Sequence, residues 1–126
     1  TMPKNKIPRK LFEKYQKLLF LNEWNIELVN SPEEHHATQN GVDILACNSA
    51  DPNYLHAVVT LFPVFYTKPR DAQINTIIHE LCHCITQEAW NCMIDLKEGQ
   101  NIHDLTMRNM IEKLTQRIAN IANGKI

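Results

Sequence analysis

Ile77-Ile78-His79-Glu80-Leu81-Cys82-His83 is the stretch on which the reading of this 126-residue chain turns. Histidines four apart lie one above the other on a single helix face, so both imidazoles can reach one ion. Apolar residues at helical spacing predict a helix from Arg70 to about Trp90. Its core stripe would be Ile74, Ile78, Leu81 and Ile85, widened by Ile77 and Cys84. Neutral imidazole is a good zinc ligand, at about 2.0–2.1 Å. Glu80 sits one residue on, about 100° round the helix axis. It can reach a water on the metal without being a ligand itself. In this hydrolytic reading Glu80 is the catalytic general base, while zinc acidifies the water and polarises the scissile carbonyl.

A catalytic zinc needs a third protein ligand and an open position. The metzincin extension would require Gly at position 86 and His at 89, where the chain has Thr86 and Ala89. The downstream candidates are Glu88, Asp95, Glu98, His103, Asp104 and Glu112. Glu112 is the first choice, because it follows the apolar Ile111 in mid-helix and a helix holds a ligand more rigidly than a loop. His103 is the second.

Outward from the motif, residues 3–8 form an irregular lead-in between two prolines, and residues 9–126 are expected to make a single domain. A first helix is expected from Arg9 to about Leu21, with Leu11, Tyr15, Leu18 and Leu19 inward and Lys10, Lys14 and Lys17 on a solvated face. Trp24–Val29 alternates apolar and polar residues as a half-buried strand does. Asn40-Gly41 signals a turn, Val42–Cys47 reads as a second strand and Leu55–Phe62 as a third. On the third strand Leu55, Ala57, Val59 and Leu61 share a face. A polar connection covers roughly residues 95–103. A last helix runs from about Asp104 to Asn123 and would bury Met107, Ile111, Leu114, Ile118 and Ile121. The expected fold is α+β: a small, mostly antiparallel sheet of about three strands packed with three helices.

Composition sets limits on function. Apolar residues make up 44% and charged residues 21%, as in ordinary globular domains, so disorder of the whole chain is not expected. A net charge of -1 argues against a protein held to nucleic acid or to an anionic membrane by bulk charge. No stretch has the length of a membrane span, and no signal-peptide pattern opens the chain. Cys47, Cys82, Cys84 and Cys92 do not form the spaced pattern of a disulfide framework and read as reduced thiols. A cytoplasmic protein with no membrane partner is the expectation.

Three stretches together resemble the minimal gluzincin peptidases, of the small kind often found in phages and prophages: Ala57–Pro63, Asn75–His83 and Ile111–Ile118. The likeness covers about residues 55–120, and HExxH is its specific element. It implies a zincin-like fold, a peptide or protein substrate, and His79, His83 and Glu112 as zinc ligands with Glu80 as base. It also implies that Leu55–Phe62 is the sheet edge above the cleft, where a substrate could add as a further strand. Tyr66 and His103 are the candidates for oxyanion stabilisation. Two other readings stay open. One is a SprT-like, DNA-associated metallopeptidase with His103 as third ligand and Lys4–Lys17 on DNA. The other is a non-catalytic, zinc-containing module for peptide binding or regulation. Oligomeric state and cleavage preference are not legible.

Overall fold

A computed structural model describes residues 6–31, 38–39, 42–97 and 104–124. Helix α1 (Arg9–Leu18) leads to strand β1 (Asn25–Asn30). Two short strands follow, β2 (Thr38–Gln39) and β3 (Val42–Asp43), and then β4 (Ala46–Asp51) and β5 (His56–Leu61). A 3-10 turn at Pro63–Thr67 precedes two long helices, α2 (Arg70–Lys97) and α3 (Asp104–Ala122). This is an α+β architecture of three helices on a small sheet. No helix among the described residues is long and apolar enough to cross a membrane.

The sheet order is β1-β5-β4, with β1 parallel and β4 antiparallel to β5. It is therefore mixed, not mostly antiparallel, and the third expected strand is its centre and not its edge. The reason lies in β5 itself. Ala57, Val59 and Leu61 are buried on one face while His56, Val58 and Thr60 are half-buried on the other. A strand covered on both faces belongs inside a sheet. The edges fall to β1 and to β4, whose Asn-Ser centre has weak strand propensity and left little pattern in the sequence. The expected strand Val42–Cys47 is split: Val42–Asp43 leaves to pair with β2, and β4 begins only at Ala46. The Asn40-Gly41 turn lies outside the described residues.

Register brings Ile26, Ala57 and Ala50 into one row across the sheet, and Leu28, Val59 and Asn48 into the next. Asn48 is thus a polar residue on the apolar face, and α2 explains it. Its Nδ2 donates to the Glu80 carbonyl oxygen at 2.6 Å and reaches Cys84 Sγ at 3.4 Å. That amide locks β4 to the middle of α2, where the two histidines sit.

Helix α2 runs seven residues past the expected end at Trp90. It packs against β4, α1 and α3, so its buried surface is broad: Ile77, Ile78, Leu81, Cys82 and Cys84 are all at most 2% exposed. Ile85, expected in the core, lies outside that arc and is 41% exposed. Helix α3 likewise turns Leu114 and Ile121 outward and buries Thr115 and Ala119 with Met107 and Ile111. Small residues at the seam let the two helices approach closely, and the Thr86 and Thr115 hydroxyls meet there at 2.9 Å. Helix α1 stops at Leu18, which is exposed, and buries Phe12 and Tyr15. Cys47, Cys82 and Cys84 are free thiols, and burial pushes Cys82 up to about 12, which makes it an inert packing residue.

Candidate metal centre

One helical turn of α2 delivers His79 and His83 to the same side, with ring centroids 4.9 Å apart and planes 80° from parallel. One ligand atom from each of His79, Glu80 and His83 lies within 4.8 Å of the others. From α3, Glu112 completes the group. Its Oε2 lies 3.3 Å from His79 Nε2 and its Oε1 3.5 Å from His83 Nε2. Ligands on a tetrahedral zinc at about 2.0–2.1 Å stand roughly 3.3–3.4 Å from one another. Each imidazole nitrogen thus stands about one tetrahedron edge from one of the two Glu112 oxygens.

The protein holds His79 in the orientation a metal needs. His79 Nδ1 is 2.7 Å from Gln116 Oε1, and Gln116 Nε2 donates to Asn120 Oδ1 at 2.8 Å. The second bond fixes which end of the Gln116 amide faces the ring. Oε1 then accepts the Nδ1 proton and Nε2 is directed at Glu112. Burial pulls the His79 imidazolium down, but hydrogen bonding to Glu112, the Glu80 charge and the Gln116 bond outweigh it, so its pKa is raised. Burial lowers His83, against the charge of Glu112. The hydrogen bond from His79 holds the Glu112 carboxyl below the usual range.

Glu80 is 7% exposed, and burial pushes its carboxyl up to about 8 despite the neighbouring His79. Without a metal the group keeps its proton at neutral pH, and a cation beside it favours the carboxylate, the form that acts as a general base. The site opens into a cleft of about 810 Å³, within the size range of ligand pockets. The chain leading into β4 (Asp43–Asn48) lines it together with faces of α2 and α3. Among the described residues, Asn48 Oδ1 and Asn75 Oδ1 are buried here without a hydrogen-bond partner. Buried acceptors of this kind call for a donor within the cleft.

The structure thus brings together His79, Glu80, His83 and Glu112. Tyr66 is not among the residues lining the cleft; its hydroxyl donates to Asn30 at the end of β1. His103 and Glu98 lie outside the described residues, as do the side chains of Asp95 and Asp104. Glu88 is exposed on α2 and is not part of the cleft lining. Gln116 is a residue of the site that the sequence reading did not single out. Its one signal is its place one turn after Glu112, on the side that faces α2. Asn48 had no signal, because only the register of β4 shows that it faces the helix. No family model, curated protein or solved structure matches this chain.

Proposed function

We propose that the chain is a zinc-dependent metallopeptidase with a zincin-like site, in which His79, His83 and Glu112 hold the metal and Glu80 is the general base. The observation that carries this reading is the convergence of both histidine Nε2 atoms on the two oxygens of Glu112, at 3.3 and 3.5 Å. A zinc ion held there supplies Lewis acidity, polarising a peptide carbonyl and acidifying water. Glu80 accepts a proton from the attacking water at its carboxylate and passes it to the amine of the departing fragment. Gln116 keeps His79 in the tautomer whose Nε2 is free to bind metal.

An extended peptide fits the cleft best. Among the described residues β4 pairs with β5 on one side only, and Asp43–Asn48 line the cleft. Backbone groups on the free side of β4 can pair with a substrate strand, the role that the family likeness assigned to β5. The test is Glu80→Gln. It should keep about one zinc per chain and lower hydrolysis of a denatured protein substrate by roughly 10²- to 10⁴-fold. Native-like hydrolysis in that variant, or zinc well below one per chain in the native protein, would contradict the reading.

A further inference from the structure

A second surface of the molecule has features that the metal centre does not explain. Helix α1 closes with Phe20 in the left-handed region, at φ 58°. Phe20 N–H donates to Lys17 O at 3.1 Å and Leu21 N–H to Gln16 O at 2.9 Å. This closing pattern normally uses glycine, whose missing Cβ makes the conformation cheap. Here the position carries a phenylalanine that is 91% exposed. The ring gains no burial in return for an unfavourable backbone. The turn between β4 and β5 holds a second left-handed residue, Leu55 at φ 50°, and the adjoining Tyr54 is 82% exposed. Both turns adjoin one short segment. Leu55 O accepts the Asn25 N–H at 2.8 Å and Leu21 O accepts the Trp24 N–H at 3.0 Å, so both flank the segment Leu21–Asn25.

Positive charge is concentrated along α1, the helix that leads into the Phe20 turn. Residues 6–17 contain Lys6, Arg9, Lys10, Lys14 and Lys17 against Glu13 alone, in a chain whose net charge is -1. All five cations are exposed. Lys10, Lys14 and Lys17 follow one side of α1, and that row ends in the turn that presents Phe20. Glu23 and Asp51 are the carboxylates nearest the rings in the chain, and Asp51 Oδ1 is engaged by the Asn53 N–H at 3.1 Å.

We propose that this surface binds single-stranded nucleic acid, with bases stacked on Phe20 and Tyr54 and phosphates paired with Lys10, Lys14 and Lys17. Flat, solvated rings offer stacking platforms to unpaired bases but nothing to a base already stacked in a duplex. An anionic membrane fits less well, because most of the apolar residues of α1 are committed to the core: Phe12 and Tyr15 are buried, Leu11 and Leu19 pack against the core, and Leu18 is the one leucine of the helix left exposed. The proposal does not depend on the peptidase reading.

Fluorescence anisotropy of the full chain with a labelled oligothymidylate of about 20 nucleotides tests it. Binding should be clear at about 20 mM salt, weaken steeply by about 150 mM, and exceed binding to a duplex of the same length. Phe20→Gly is the informative variant, since glycine suits the left-handed position and thermal stability should hold or rise. It should weaken binding about tenfold, as should Tyr54→Ala, with the salt dependence unchanged. Lys10→Glu with Lys17→Glu should flatten the salt dependence. No binding at low salt, equal affinity for duplex, native-like affinity in both ring variants, or Phe20-dependent binding to anionic vesicles without binding to the oligonucleotide would each overturn the proposal.

Discussion

His79 Nδ1 lies 2.7 Å from Gln116 Oε1, across the seam between α2 and α3. The neutral amide gives His79 its tautomer without placing a further negative charge beside a carboxylate pair, Glu80 and Glu112, that is already crowded. Replacing Gln116 with Ala frees the ring to rotate and leaves its Nδ1 proton unpaired. Zinc affinity, measured by competition with a chromophoric chelator, should fall about 10- to 100-fold. Unchanged affinity would mean that the amide does not orient the ligand.

Glu112 and His103 make opposite predictions as third ligand. If Glu112 holds the metal, Glu112→Ala should retain far less than one zinc per chain after gel filtration, while His103→Ala should retain a full complement. Metal analysis of the two purified variants decides between them. The reverse result would move the third ligand off α3.

The pH dependence of the metal-free protein has a definite sign. Glu80 has an ordinary pKa of 4.5 and is pushed up to about 8 in the fold. Between those values the unfolded chain releases its proton while the folded chain keeps it, so the stabilisation present below the lower value is lost as pH rises to the upper. His79, also raised, acts in the same direction; His83, lowered by burial, offsets part of it. Thermal unfolding in chelator should give a midpoint that falls from about pH 5 to about pH 8. With zinc in excess the trend should flatten or reverse, because the ion favours the Glu80 carboxylate and needs neutral imidazoles. A midpoint that climbs over that window in chelator would contradict the assignment of Glu80 as a protonated, buried acid.

The seam that positions Glu112 against α2 depends on Thr86 and Thr115, both at most 2% exposed, with hydroxyls 2.9 Å apart. Thr115 also bonds the Ile111 carbonyl oxygen at 2.8 Å, one residue before the ligand. Thr115→Val should destabilise the fold by about 1–3 kcal/mol in denaturant titration. The double change with Thr86→Val should cost less than the sum of the two singles, because both remove the same bond. Strict additivity would show that the hydroxyls do not interact.

The sequence announced the site more clearly than the sheet. A spacing of four on a helix is fixed by backbone geometry, so His79 and His83 could be placed together from their numbers alone. Glu112 followed because a periodic helix carried it beside Ile111. Strand order is not local: that β5 lies between a parallel β1 and an antiparallel β4 depends on which faces are covered, and Asn48-Ser49 within β4 carries no strand signature. Helix faces were misjudged where packing was tight. Leu114 and Ile121 looked like core, but at a close helix seam Thr115 and Ala119 take the inside and the larger residues turn out. Phe20 was invisible as a feature, since only its left-handed φ and its exposure distinguish it from an ordinary core aromatic.

In the proposed centre one zinc is gripped by His79, His83 and Glu112, while Glu80 stands beside it without bonding to it. X-ray absorption spectroscopy at the zinc edge, on native protein and on Glu80→Gln, tests this directly. The expected spectrum has a nitrogen and oxygen shell at about 2.0–2.2 Å with an imidazole scattering pattern, the same in both proteins. A sulfur shell at about 2.3 Å would point to a cysteine ligand instead, and a first shell altered by Glu80→Gln would make Glu80 a ligand. Either result, or protein that retains no zinc, would contradict it.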